Sequence, residues 1–153
     1  MTARVISALT VSTAVSNIEA RVFNFNCPPG AAASCNINGR PMPLSPDWKA
    51  SVRATCVQPL SGKLTLEYGV DTNRQSTTNF DLQQQPDSVL PGYTTYTESL
   101  ALVSTASWRV ALLGKNLGDK SHASFVQSSD SHINRYVPRD DQRHWGINAR
   151  YDF

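Results

Sequence analysis

Three histidines, His122, His132 and His144, fall with Asp119, Asp130, Asp140 and Asp141 toward the C-terminal end of the chain. Imidazoles and carboxylates bind divalent metals and move protons in catalysis. Metal sites, however, draw ligands from short fixed spacings such as paired histidines one helical turn apart, and no such pair occurs here. The irregular spacing fits solvated loop residues better. No phosphate loop and no nucleophile elbow is present, so the residues give an enzyme no support and no cofactor or metal is expected.

The three cysteines divide into two kinds. Cys27 and Cys35 lie close together in a segment rich in Pro, Gly, Ala and Asn, which suits a small disulfide-closed loop in an oxidising compartment. Two free thiols are the alternative. Cys56 sits at an apolar position of an alternating segment and reads as a small hydrophobe.

At 153 residues the chain is one domain or a piece of one. A net charge of +2, with scattered basic residues, gives no footprint for nucleic acid. No stretch reaches the roughly 18 apolar residues of a membrane helix. Arg4 and the run from Val5 to Val15 could be a signal-peptide core, but Ser7, Thr10, Ser12 and Thr13 interrupt it. Leu9, Val11 and Val15 alternate as in a strand, and without a signal the chain would belong to a longer protein.

The elements that hold these residues are strands. The last ten residues alternate: Trp145, Ile147, Ala149, Tyr151 and Phe153 share one face, and His144, Gly146, Asn148, Arg150 and Asp152 the other. The same period of two predicts strands over about Ala8–Ala20, Trp48–Val57, Lys63–Asp71, Tyr93–Val103 and Trp108–Lys115. The expectation is an all-β, antiparallel meander of about six long strands, many of them near the length that crosses a bilayer at a tilt. Two connections, Gln58–Gly62 and Ser104–Ser107, are short. Those at 21–47, 72–92 and 116–143 are long and polar. Short turns on one side, long loops on the other and apolar faces with aromatic ends are marks of an outer-membrane barrel with a periplasmic C-terminus.

Specific motifs agree. The run Trp108 to Lys120, WRVALLGKNLGDK, resembles the W-x-v-x-L-x-x-k-N-L-x-D-K segment of TonB-dependent outer-membrane receptors, with Trp108, Asn116, Leu117, Asp119 and Lys120 carrying the likeness. As in that family, a variable loop follows, here ending at Tyr136-Val-Pro-Arg139, and the last strand ends on a terminal aromatic, Phe153. Gly39 to Trp48 is similar to the family's proline-rich lead into a strand, the Cys27…Cys35 segment to a disulfide loop found in many members, and Gly92 to Tyr96 to the start of a third family strand. Glu98 departs from the family, where an amide is usual, and so does Cys56, where an aromatic is common. Glu98 needs a lumen-facing or interfacial position to be cheap.

The resemblance implies that residues 1–153 form the C-terminal part of a receptor barrel of about 22 strands, with the plug domain and earlier strands absent. It implies a protein of the bacterial outer membrane that takes up a scarce ligand (a siderophore, vitamin or saccharide), and a chain not functional alone. The implied partners are outer-membrane lipid, TonB through the missing N-terminal part, the barrel-assembly machinery reading Tyr151 and Phe153, and the small nutrient ligand. Candidate loop contacts to that ligand are His132, Arg135, Tyr136 and Arg139, with Phe80, Gln83, Gln84 and Gln85. The competing reading is a non-enzymatic secreted or surface β-sandwich binding module, whose apolar faces would meet in a dry core.

Overall fold

The computed structural model describes residues 1–129, 132–139 and 141–153, with backbone alone at 4–6. Asp130 and Asp140, two of the acidic residues grouped with the histidines, lie outside the described residues. The strands are β1 (Thr2–Ile6), β2 (Leu9–Asn17), β3 (Trp48–Ser61), β4 (Leu64–Gln75), β5 (Thr78–Asn79), β6 (Val89–Leu90), β7 (Tyr93–Ser104), β8 (Trp108–Lys115), β9 (Phe125–Ser128), β10 (Ile133–Tyr136) and β11 (His144–Tyr151). Seven of them form one sheet in the order β1-β2-β3-β4-β7-β8-β11. Every neighbouring pair in it is antiparallel. The chain is all-β and a meander, as the alternation predicts.

All six expected strands are present, and the expectation of six is corrected to seven. The added strand is β1, which turns at Ser7–Ala8 and pairs Thr2 with Ser12 and Ala3 with Val11. That turn carries none of the Gly, Asn or Pro signals that mark a hairpin in a sequence, so it reads as strand interior. Several strands run beyond their expected ends: β3, β4 and β7 have 14, 12 and 12 residues. They extend on the hydrogen bonds of their neighbours past the point where the apolar pattern stops.

Register decides which residues share a face. Leu9 pairs with Cys56, Cys56 with Tyr68, Tyr68 with Leu100, Leu100 with Leu112 and Leu112 with Ile147. A parallel row runs Leu66, Leu102, Val110, Ala149. These rows form one continuous apolar face, and it is open: Leu100 is 44% exposed, Leu112 43% and Ile147 79%. On the opposite face Ala101 and Ala111 are only 2% and 7% exposed. There the Arg109 guanidinium reaches Glu67 at 3.1 Å, from β8 across β7 to β4, over the small side chain of Ala101. Arg53 likewise donates to Asp71 at 2.7 Å. Charge is thus paired on one side, and hydrocarbon is exposed on the other.

Aromatic residues bracket the apolar face. At the short-turn end stand Trp108, paired with Tyr151, and Phe153, whose ring meets Tyr151 at 5.1 Å. Toward the loop end stand Trp48, Tyr96 and Trp145. Arg74 lies 5.9 Å over the Trp48 ring and donates to the Thr94 hydroxyl, a pairing that suits a membrane–water boundary. Glu98 projects from this same face, in register with Val70 and Gly114 and so in the row of Trp145. The carboxylate does not face the lumen; it stands at the aromatic level, the interfacial option.

The long loops fold against one another. Phe80, Leu90, Ala123 and Val126 make a small buried core, with Tyr93 packed against it. It joins the loop between β4 and β7 to the loop between β8 and β11, and Phe80 meets Phe125 edge-on at 5.8 Å. The first loop is tied in by Leu44 N–H to the Asn79 carbonyl and Arg40 to the Gln83 carbonyl.

Candidate functional site

At the loop end of the polar face lies a hollow of roughly 510 Å³. Strand alternation supplies its floor: Lys49 pairs with Gln75 and Gln75 with Tyr93, so the three side chains stand side by side. The next inward row is Ser51, Asn73 and Thr95, and Thr97 follows. Lys115 and His122 complete the wall. The lining combines two ammonium groups, Arg74, hydroxyls, amides, one phenol and one imidazole with the apolar residues Ala14, Val15, Ala50 and Pro138. Lys49 and Lys115 bring cationic donors, Asp71 is paired with Arg53, and Asp141 is paired with His122 of the wall. Such a surface favours an anionic ligand with aromatic or hydroxyl groups.

His122 is held from two sides. Its ring stacks on Tyr93, centroids 4.5 Å apart and planes 26° apart, while Nδ1 lies 3.2 Å from Asp141 Oδ1. Asp141 is buried, and burial works against its charge. Hydrogen bonds from the Ser121 hydroxyl and the His122 N–H, with the positive fields of His122 and Arg135, more than offset this and hold its carboxyl below the usual range.

Asn116 and Asp119 of the Trp108–Lys120 run close the loop. Asn116 is 6% exposed, and its amide donates to the carbonyls of Lys120 and Asp141 while its oxygen accepts from Lys120 N–H. Asp119 accepts from Arg143 N–H at 2.9 Å. Together they fasten the chain leaving β8 to the chain about to form β11. Asn116 and Asp119 both have φ of +47°, a left-handed conformation that Asn and Asp adopt more readily than most residues. Leu117 N–H donates to the Tyr96 carbonyl at 3.0 Å. Trp108 opens β8, and Lys120 is exposed.

The candidate loop contacts sit elsewhere than the hollow. Arg135 and Tyr136 belong to β10, with the Tyr136 ring 5.9 Å from Phe125. The His132 carbonyl accepts from the Ser129 N–H and hydroxyl. Arg139 lines a second hollow with Asp141, Arg143 and His144. Phe80, expected as a contact, is buried in the loop core because the two loops need an apolar centre. Gln83 accepts from Arg40, the Gln84 N–H donates to the Asp81 carboxylate, and Gln85 accepts from Ser128, so these three serve loop structure. Cys27 and Cys35 are joined as a disulfide, Cα atoms 5.9 Å apart. Tyr151 and Phe153 are exposed, and β11 is an edge strand. Among the described residues no group of three or more His, Cys, Asp or Glu could hold a metal ion.

The sequence reading missed the hollow's floor. Lys49, Gln75 and Tyr93 lie in separate strands, and only register brings them together. Their signal is weak: polar residues at alternate positions near the loop ends of strands.

No protein-family model matches the chain, and no curated protein matches its sequence. Among solved structures it is similar to the ferric yersiniabactin uptake receptor FyuA from Yersinia pestis, with a TM-score of 0.81 at 21% identity over 99% of this chain and 22% of that one. It is also similar to the siderophore receptor PiuA from Acinetobacter baumannii, with a TM-score of 0.68 at 18% identity over 97% of this chain and 20% of that one. The chain therefore spans about a fifth of the length of these receptors. At such identities the likeness is one of fold, and this chain has the fold of a segment of a receptor β-barrel.

Proposed function

We propose that this chain is the C-terminal portion of a TonB-dependent receptor of the bacterial outer membrane, serving active uptake of a siderophore. The observation that carries this reading is the open apolar face, framed by aromatic residues and backed by a face of paired charges. A soluble sandwich would bury those rows under a second sheet. Here Leu100, Leu112, Trp145 and Ile147 stand exposed, as the lipid side of a barrel requires.

In this reading the polar face is lumen wall, and the hollow at its loop end is part of the ligand vestibule. Its lysines, phenol and imidazole suit an anionic chelator better than a neutral saccharide. The two solved receptors, one for ferric yersiniabactin and one for a siderophore, favour the same class. The loop core and the Asn116 and Asp119 ties give that vestibule a fixed shape, and rigid support is what makes loop residues selective. TonB would act through the part of the receptor outside this chain. Tyr151 and Phe153, exposed beside a free strand edge, suit recognition by the barrel-assembly machinery through strand addition.

The test is insertion into vesicles made with brominated lipids. Trp48, Trp108 and Trp145 all share the apolar face, so tryptophan fluorescence should be strongly quenched. A folded, unquenched chain that remains monomeric in plain buffer would overturn the membrane reading in favour of a soluble module.

A further inference from the structure

The main hollow has a smaller neighbour. Where the three long loops meet the strand ends lies a side hollow of roughly 220 Å³. Lys49, Gln75, Tyr93, His122 and Pro138 line both spaces and so mark their junction, with the stacked Tyr93 and His122 rings as part of it. The loops build the remainder: Pro46 comes from the first, Phe80 and Leu90 from the second, and Ala123 and Ser124 from the third.

Its chemistry differs from that of the main hollow. Pro46, Phe80, Leu90, Ala123 and Pro138 give it a largely hydrocarbon lining, and three of these belong to the buried loop core. Much of its neutral polar capacity is spent within the protein. The Gln75 amide donates to the Thr78 hydroxyl at 3.2 Å, and the Ser124 hydroxyl donates to the Tyr136 carbonyl at 3.0 Å. His122 Nδ1 lies against Asp141 and the Lys120 carbonyl. By contrast, the Lys49 ammonium and the Tyr93 hydroxyl, both at the junction, make no hydrogen bond or ion pair among the described residues.

Size and chemistry together select a ligand group. An apolar cavity of about 150 Å³ takes up benzene, so the side hollow has room for one ring with a small substituent. A sugar ring would lose the hydration of its hydroxyls there and find few partners. Tyr93, His122 and Phe80 supply aromatic surface, which favours a flat ring over a saturated one. The unpaired ammonium at the mouth calls for an anion.

We propose that the side hollow is a subsite for a monocyclic aryl anion. The ring lies among Phe80, Leu90 and Ala123, and its carboxylate or phenolate stays at the junction, accepting from Lys49 and the Tyr93 hydroxyl. The subsite rests on the vestibule reading above and narrows it: the ligand carries such an arm, while the rest of it occupies the main hollow.

The experiment uses the full chain refolded into bicelles, with alanine and leucine methyl groups labelled. The probes are para-fluorobenzoate, para-fluorobenzyl alcohol (ring without charge) and fluoroacetate (charge without ring), titrated by fluorine line width. The benzoate should bind at least tenfold more tightly than either of the others. Lys49→Met should erase its preference over the alcohol, and the ring protons should show nuclear Overhauser contacts to the Ala123 and Leu90 methyls. Equal affinity for the three probes, no binding, or an unchanged preference in Lys49→Met would each overturn the proposal. So would contacts to the Ala14 methyl of the main hollow in place of Ala123. Tryptophan quenching by brominated lipid in the same preparation separates the two ideas. A quenched chain that ignores the benzoate sinks only the subsite, and an unquenched chain sinks the membrane reading beneath it.

Discussion

The Trp145 indole lies over Gly114, its register partner on the apolar face. A Cβ placed on Gly114 would come within 2.5 Å of Trp145 Cζ3 and 2.9 Å of Leu117 Cδ2. Glycine here is a matter of room: the bare backbone lets the indole cover the ladder between β8 and β11. Gly114→Ala should displace the ring and destabilise the barrel by about 1–3 kcal/mol, as overpacking does. A shift in Trp145 emission together with a lower Tm in detergent is the expected pair of readouts.

Leu112 and Leu113 are neighbours in sequence that meet different surroundings. Leu112 stands 43% exposed on the apolar face, in the row of Leu100 and Ile147, while Leu113 points to the polar side. Leu112→Arg should cost about 2–4 kcal/mol of folding free energy in lipid vesicles, the range for a cation near the bilayer midplane. Leu113→Arg should cost far less. Equal costs, measured by urea titration of the inserted protein, would contradict the assignment of faces.

Asn116 acts through both its side chain and its backbone. Asn116→Gly keeps the left-handed φ cheap and removes only the amide bonds; Asn116→Ala adds the backbone penalty. The amide bonds are worth about 1–3 kcal/mol, since their loss leaves buried carbonyls unsatisfied, and the alanine variant should lose about 1 kcal/mol more. Limited proteolysis of the 116–143 loop, ordered wild type, glycine, alanine by increasing rate, checks this.

Acid should release the same loop. The Asp141 carboxyl sits below its ordinary range, so its charge supports the fold fully above about pH 4, where the unfolded carboxylate is ionised. That support is lost as pH falls through the lower folded value. Cleavage of the loop, followed with an acid-active protease at low pH and a neutral protease at neutral pH, should therefore rise steeply only below about pH 4. Asp141→Asn should be cleaved faster at neutral pH and show little further change on acidification.

Reduction should loosen the first loop and leave the sheet intact. Opening a loop as short as Cys27–Cys35 removes about 2.5 kcal/mol of chain-entropy stabilisation. In denaturant, one reactive thiol, that of Cys56, is expected before reduction and three after it. Three thiols at the outset would show that the loop is not closed in the protein as made.

The resemblance to a receptor barrel was legible because it rests on local patterns. Alternation in Trp145–Phe153 and Trp108–Leu112 reads out directly as two-faced strands, and the NLGDK run marks the exit from β8. The role of that run was not legible. Asn116 and Asp119 look like surface polar residues until their partners at Asp141 and Arg143, far along the chain, are in place. Phe80 misled for the same reason: an aromatic in a polar loop looks available to a ligand until a second loop buries it.

By itself the sequence determined the strand class, the apolar face, the long loops on one side and the exposed aromatic end, since each follows from the alternation of neighbouring residues and the lengths between them. Tertiary structure decided the rest. Register aligned Lys49, Gln75 and Tyr93 into one wall, loop packing buried Phe80 and positioned His122, and a hairpin with no turn signal added a seventh strand. These are relations between residues distant in the chain, and side-chain periodicity carries no information about which strand lies beside which.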